Sequence, residues 1–509
     1  MASTVSSTRS QRRVNADAAV PSRNGTQLVP PLPRHQHLRT VILGAGIAGN
    51  LVLNELRRHP HLGYVPVGFL DDDPRKQRRA VGGLPVWGTL AGLPSAVKRH
   101  RVQLALLAMP SAPGRLHRRM TLLARRVGVE LRVVPGYYEV LQHDTTAGRV
   151  RPINLEDLFR RPPASFDLGV MHQTLTGKTM MITGAAGSIG HELCRQLARF
   201  QPRQLVLFDH EENNLYETYL ALHELHPMLP LHVAVGDIRD RTRIRSVLRT
   251  YRPEVLYHAA AYKHVPVMEL SVLEAIKTNI LGTAVLVEEA GRSGVGRFVL
   301  ISTDKAVNPT SVMGACKRFA EQVVQSAAPR FPGTALMVVR FGNVIASRGN
   351  VIERFTQQIA RGGPVTITHP AMERYFMTRE EAAQLVMQAS AWGRGGEVFI
   401  LNMGRQIKLV QVAREMIRLA GLQPGTDIPL VFTGIRPGEK LREKLITTHE
   451  RSHSTNHRRI RVVRSPSPSW RVTQQALQAF RRAARSEEDR RGRQLLERYV
   501  AAYREPRHG

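Results

Sequence analysis

Twice along this chain an apolar run passes directly into a glycine turn and then a helical pattern, and few folds accept that order. The first instance is Arg39-Thr40-Val41-Ile42-Leu43 followed by Gly44-Ala45-Gly46-Ile47-Ala48-Gly49. The second is Thr179–Thr183 followed by Gly184-Ala185-Ala186-Gly187-Ser188-Ile189-Gly190. Small residues at such a place permit a tight turn and a close approach of backbone to a ligand, and the helix N-terminus behind them favours negative charge. Further strand patterns succeed each turn: Val65–Leu70 and Val102–Ala108 after the first, then Gln204–Asp209, His232–Val235, Val255–His258, Phe298–Ser302 and Ala335–Arg340 after the second. Strands alternating with helices argue for parallel sheets joined by right-handed crossovers.

The expected class is therefore α/β, with two tandem Rossmann-like parallel-sheet domains, the second carrying a smaller C-terminal lobe. The 509 residues suit about three domains. Residues 1–36 read as a disordered basic lead, rich in Ser, Arg and Pro. The first nucleotide-binding-like unit spans 37–150, a linker 151–176, and the second unit with its lobe 177–450. Residues 451–509 read as a basic tail, partly helical, with a basic helical pattern over 474–503.

The 73 Lys and Arg against 41 Asp and Glu give a formal charge of +32. Such an excess suits anionic nucleotide-linked ligands or an acidic lipid surface. No RNA- or DNA-binding signature accompanies it, so nucleic acid is not an expected partner. Two distant cysteines, Cys194 and Cys316, exclude a disulfide framework and a four-ligand zinc site, and no metal is expected. Cys316 reads as a small buried residue rather than a nucleophile. No apolar run of eighteen residues marks a membrane span, and the N-terminus lacks a signal-type stretch. A cytoplasmic location is expected, with the basic ends able to touch the inner face of an anionic membrane.

The two glycine turns differ in the residues beyond them. After the first comes Asp71, the acid of a dinucleotide fingerprint, but the turn also reads as one that the fold requires and that binds nothing. After the second, four features occur in order. Gly184, Gly187, Ser188, Ile189 and Gly190 have the GxxGxxG spacing of the short-chain dehydrogenase branch. Asp209 ends the next strand, where an acid accepts adenosine ribose hydroxyls. Asp237 and Ile238 come after the third strand, where an acid meets the adenine amino group, and Ala259 and Ala260 after the fourth, where small residues let a cofactor lie on backbone.

The chemistry is expected at Thr303-Asp304-Lys305 and at Met313 and Lys317, which share a helix face four residues apart. Asp304 and Lys305 sit at the C-terminal end of a strand, where open α/β sheets bind ligands. A Lys at position 317 can hold a nicotinamide ribose and favour deprotonation beside it. Arg340, Arg348, Arg374 and Arg436 lie in later segments whose guanidinium forks suit a diphosphate, a solvated face being the alternative.

Taken together, TGAAGSIG, HAAAYKHVP, STDKAVNPT, MGACKR, RFGNV with SRGNV, and RPGEKL resemble the CapD-like polysaccharide biosynthesis proteins over roughly residues 37–450. These are nucleotide-sugar 4,6-dehydratases and epimerases of the extended short-chain dehydrogenase superfamily. The resemblance implies a tightly bound NAD or NADP regenerated each turnover, a UDP-sugar substrate, typically UDP-N-acetylglucosamine, and a homo-oligomer. It implies Lys305 as the base at carbon five and Asp304 as the acid for the departing 6-hydroxyl; Lys317, with Thr303 or Asp304, is expected to aid the first proton loss. Substrate contacts are expected at Lys263, His264, Asn343, Arg348, Arg436 and Glu439. Two departures stand out. Long members of the family usually begin with several transmembrane helices, which this sequence does not show; a soluble or peripheral form is expected. The superfamily's usual catalytic tyrosine is Met313, whose thioether cannot exchange a proton, as in other long CapD-like members. A 4-epimerase, or a nucleotide-binding protein without turnover, remains the alternative reading.

Overall fold

The computed structural model describes residues 37–109, 112–134, 151–152, 166–345, 347–464, 467–486, 488–501 and 503–504. The expected lead 1–36 and most of the stretch 135–165 lie outside the described residues. The first sheet holds β1 (Leu38–Leu43), β2 (Tyr64–Leu70), β3 (Leu104–Leu107), β4 (Glu130–Val133) and β5 (Arg151–Pro152), in the order β2-β1-β3-β4-β5. The first four are parallel and β5 is antiparallel to β4. Helix α1 (Ile47–Arg58) succeeds β1, while α2 (Leu93–His100) and α3 (Gly114–Arg126) pack together, as right-handed crossovers require.

The second sheet has nine strands: β6 (Thr179–Thr183), β7 (Gln204–Asp209), β8 (Leu231–Val235), β9 (Val255–His258), β10 (Arg297–Thr303), β11 (Ala335–Phe341), β12 (Val398–Leu401), β13 (Arg451–Ser454) and β14 (Ile460–Arg464). Their order is β8-β7-β6-β9-β10-β11-β12-β14-β13. The strands from β6 to β12 run parallel. Every residue of β6 and β9 is buried, as a sheet covered on both faces demands. The order reverses between β6 and β9, which opens a crevice at their C-terminal ends. Helix α4 (Ser188–Leu197) rises from the glycine turn after β6, and helix α5 (Val312–Ala327) lies between β10 and β11 in sequence. Both glycine turns and all the expected parallel strands are found within a residue or two of the sequence reading.

The segment past 450 corrects that reading. It is no tail: β13 and β14 close the sheet in antiparallel register, with Val398 against Val463. Two helices come next, α6 (Trp470–Ser486) and α7 (Asp489–Tyr499), and bury Leu477, Phe480, Ala483 and Leu496 in the main core. Phe480 packs edge-on against Phe319 at 5.0 Å between ring centres. The arginines that made the segment look like a solvated tail lie mostly on the outer faces of these helices, and the apolar stripe beneath them is what docks. Among the described residues, no helix is long and apolar enough to cross a membrane.

Helix α5 runs through the middle of this core. Ser311 caps it, its Oγ accepting from the Gly314 N–H at 3.1 Å. A buried ionic network ties it to the sheet. Arg340, on β11 and wholly buried, donates its fork to Glu321 of α5 (3.0 and 2.7 Å) and to Glu450 (3.0 and 3.1 Å). Ser302, beside it on β10, donates to Glu321 at 2.6 Å, and Arg318 bridges both carboxylates. The fork of Arg340, read from sequence as suited to a diphosphate, is therefore spent on protein carboxylates.

Burial opposes the charge of Glu450, but hydrogen bonds from Arg340 outweigh it and hold the carboxyl down to about 2, below its ordinary 4.5. A depressed carboxyl contributes stability above its unfolded value, and that contribution is lost as pH falls from 4.5 through about 2. Replacing Arg340 with Met leaves two buried carboxylates to share Arg318 alone, and the expected loss is about 3–5 kcal/mol in urea unfolding. The acid sensitivity of the wild type below pH 4.5 should shrink in Glu450→Gln. A loss of under about 1 kcal/mol for Arg340→Met contradicts the network's role.

Candidate active site

At the reversal point the second glycine turn meets the end of β9. Gly184 has φ +74, and a Cβ there would lie 2.5 Å from the Ala260 backbone nitrogen. A Cβ on Gly190 would fall 1.9 Å from the Gly184 carbonyl oxygen, so α4 sits directly on the turn. Asp209, at the end of β7, organises this turn. Its Oδ2 accepts from the Ala186 N–H at 3.0 Å and its Oδ1 from the Glu211 N–H at 3.1 Å. Asp237 is gripped by Arg239 at 2.7 Å; burial works against its charge, but Arg239 prevails and lowers the carboxyl's pKa.

A cavity of about 260 Å³ opens here, lined by Gly184, Gly187, Ser188, Asp209, Asp237, Ile238, Ala259 and Ala260. These are eight of the eleven residues expected at the cofactor; Ile189 and Gly190 instead pack behind the turn, and Lys317, expected at the nicotinamide ribose, lines neither this cavity nor the one beside it. Bare backbone at the turn, an acid after β7 and alanines after β9 fit a dinucleotide. The first unit repeats the turn but differs in its surroundings. A Cβ on Gly44 would meet the Met109 side chain at 2.5 Å, and Asp71 accepts from Ala45 N–H, Asp73 N–H and the Lys76 ammonium at 3.1 Å.

The expected catalytic residues stand at the end of β10. Asp304 is wholly buried. Its Oδ1 accepts from the Thr303 hydroxyl at 2.9 Å and from Lys305 Nζ at 3.0 Å, and its Oδ2 has no partner among the described residues. Lys305 Nζ also donates to Asn343 Oδ1 at 2.9 Å. Of the five expected catalytic side chains, Lys305 lines the neighbouring cavity and Asp304 stands directly behind it. Met313 is buried in the core. Lys317 donates to the Ile301 carbonyl at 2.6 Å, and burial pulls its ammonium down to about 8 against the opposing charge of Glu321. Cys316 is buried and its thiol pushed up by the same cause.

That second cavity, about 330 Å³, is lined by Lys263, His264, Lys305, Asn343, Arg436 and Glu439, which include the expected substrate contacts except for Arg348. Arg348 lines the dinucleotide cleft instead. The wall also includes residues that the sequence reading did not assign to the substrate, among them Arg354, Thr310 and Lys440. Arg354 is signalled only by its place in the first turn of the helix capped by Asn350, a spacing visible once Asn350 is known to be the cap. Arg354 and Arg436 line this cavity, and neither side chain has a carboxylate partner among the described residues. Arg374 also lines it, but its fork holds the backbone carbonyls of Glu373 and Lys440.

Residues 180–465 match the family model described as polysaccharide biosynthesis protein, and residues 22–135 match one described as a CoA-binding domain. The probable polysaccharide biosynthesis protein EpsC of Bacillus subtilis (strain 168) is 41% identical over 445 residues, covering 87% of this chain and 74% of its own. The capsular polysaccharide biosynthesis protein CapD of Staphylococcus aureus is 42% identical over 413 residues, 81% of this chain and 69% of its own. Among solved structures, Pen from Bacillus thuringiensis superposes with a TM-score of 0.54 at 30% identity, covering 58% of this chain and 92% of that one. The fold, the turn and the extended match together place the chain: it belongs to the CapD- and EpsC-like family of polysaccharide biosynthesis proteins.

Proposed function

We propose that this chain is a nucleotide-sugar 4,6-dehydratase that converts UDP-N-acetylglucosamine to a UDP-4-keto-6-deoxy-hexosamine for surface polysaccharide. The observation that carries the reading is the Thr303–Asp304–Lys305 cluster, with Lys305 on the wall of a cationic cavity that adjoins a glycine-lined dinucleotide cleft. Arg354 and Arg436, which have no carboxylate partner among the described residues, suit a diphosphate, which a UDP-sugar brings. Gly184, Ser188, Asp209 and Asp237 would hold NAD or NADP; the carboxylate of Asp209, where a 2′-phosphate would sit, favours NAD. When bound, the nicotinamide supplies a reversible hydride acceptor.

The chain's own groups move the protons. Lys317 carries an ammonium that favours loss of the proton from the sugar's 4-hydroxyl, and Thr303 offers a hydroxyl hydrogen-bonded to Asp304 for it to follow. Met313 takes no part in that transfer, since a thioether holds no proton. A proton passed from Lys305 to Asp304 across their contact leaves a free amine, and with carbon four a ketone that amine removes the acidic hydrogen on carbon five. Asp304 gives its proton to the departing 6-hydroxyl, which leaves as water. Lys305 then returns a proton to carbon five as carbon six takes back the hydride removed from carbon four, and the net change is loss of one water. The 3.0 Å contact between Lys305 Nζ and Asp304 Oδ1 keeps acid and base in proton contact. A 4-epimerase would share the oxidation and need no such elimination pair, so the mass of the product separates the two.

Purified chain with NAD should convert UDP-N-acetylglucosamine to a product lighter by one water in mass spectrometry. Lys305→Ala should lower turnover by about 10²–10⁴-fold. Unchanged sugar contradicts the substrate, and full turnover in Lys305→Ala contradicts the base. A second outcome concerns pH. The Lys317 ammonium is present below about 8 and lost as pH rises through it, so kcat/KM should fall above that value. Lys317→Arg, which keeps its charge, should remove that fall; a wild-type profile flat through pH 8 contradicts the role of the ammonium.

A further inference from the structure

The turn Ser347–Asn350 lies between the two cavities, and its contacts run to both sides. On the cleft side the Arg348 backbone N–H donates to Ser188 Oγ at 3.1 Å, and Ser188 is the first residue of the helix behind the glycine turn. The Arg348 guanidinium bonds the side-chain oxygen of Asn214, in the helix after β7, and lies 3.6 Å from Glu217. The Arg348 carbonyl accepts from Lys263 Nζ at 2.7 Å. On the other side Gly349 has φ +68, and a Cβ there would sit 2.5 Å from the His264 ring. The same glycine's N–H is held by Glu353 at 2.6 Å, and Asn350 caps the helix Val351–Ala360.

These contacts have a common geometry. Ser188 and Asn214 belong to the dinucleotide half of the fold, and both line the cleft together with Arg348 and Lys263. Asn350, Glu353 and His264 belong to the half that lines the other cavity or supports it. One four-residue turn thus spans from the smaller lobe to the glycine-rich loop and closes over the cleft between them. Its side-chain contacts are solvent-exposed and few, with the Arg348 side chain 62% exposed, so the bridge can be released without disturbing either core.

We propose that Ser347–Asn350 is a clasp over the dinucleotide cleft, in which Arg348 retains the cofactor by bonding Ser188 and Asn214 across it. An enzyme whose cofactor is oxidised and reduced within one turnover gains from slow release, because a cofactor lost in the reduced state strands the intermediate sugar. The clasp supplies that retention from the protein side, while the sugar nucleotide has its own cavity beyond Lys263 and His264. Arg348 is a retaining residue in this scheme and touches no reacting atom. The inference rests on reading the glycine-lined cleft as a nicotinamide dinucleotide site, and it needs no particular sugar.

The test uses the full chain loaded with NADH. Release is followed by the loss of bound-NADH fluorescence after addition of excess NAD. Arg348→Ala removes the guanidinium contacts and should speed release by about tenfold. Arg348→Lys, which keeps the charge without the fork, should fall between the two, and circular dichroism should be the same for all three. An unchanged release rate in Arg348→Ala overturns the clasp, whether or not UDP binding weakens. Wild-type chain that binds NADH but leaves the sugar unchanged overturns the dehydratase reading alone, while chain that binds no dinucleotide overturns both.

Discussion

A carboxylate shut away from water at the end of a parallel strand governs the arrangement of this protein. Asp304 shares one oxygen between the Thr303 hydroxyl and the Lys305 ammonium and leaves the other without a partner among the described residues. Such a group is costly to bury alone and cheap to bury beside an ammonium, so the fold holds Lys305 where Asp304 needs it. That requirement places Lys305 at the mouth of the sheet, facing the cavity, with Asn343 of the next segment as its second acceptor.

The support behind this pair is ionic as well as apolar. Arg340 and Glu321 lie one layer beneath, and Ser302, two residues before Asp304, is tied to the same network. The strand that delivers Thr303, the helix that carries Lys317 and the segment that ends at Glu450 therefore share one set of charges. The helices after residue 470 complete the wall by packing on the helix Val312–Ala327, which makes the C-terminal segment part of the site's scaffold. A buried network of this kind specifies one arrangement because any displaced partner leaves an unpaired charge behind.

Much of this was legible in the sequence. Fully buried parallel strands are continuous apolar runs, so their positions were plain, and GxxGxxG with Asp209 and Asp237 at the expected intervals located the cleft. Three things were not legible, each for a physical reason. The strands Arg451–Ser454 and Ile460–Arg464 are antiparallel and arginine-rich, so their alternation resembled a solvated tail. The fates of Arg340, Arg348 and Arg374 could not be told apart, since a guanidinium fork suits carboxylates, carbonyls and phosphates alike. The depth of Asp304 depends on Gly342, where a Cβ would lie 2.8 Å from its free oxygen, a contact set by tertiary packing. The first glycine turn repeats the fingerprint in other surroundings: Met109 packs beside Gly44, and Lys76 pairs with Asp71.

In the proposed reaction Lys305 takes a proton from carbon five of the sugar and later gives one back. Its ammonium exchanges with solvent while the proton is held, so the reaction run in deuterium oxide reports on it directly. The product, analysed by proton NMR, should carry deuterium at carbon five. A dehydrated product with protium retained at carbon five would contradict the assignment.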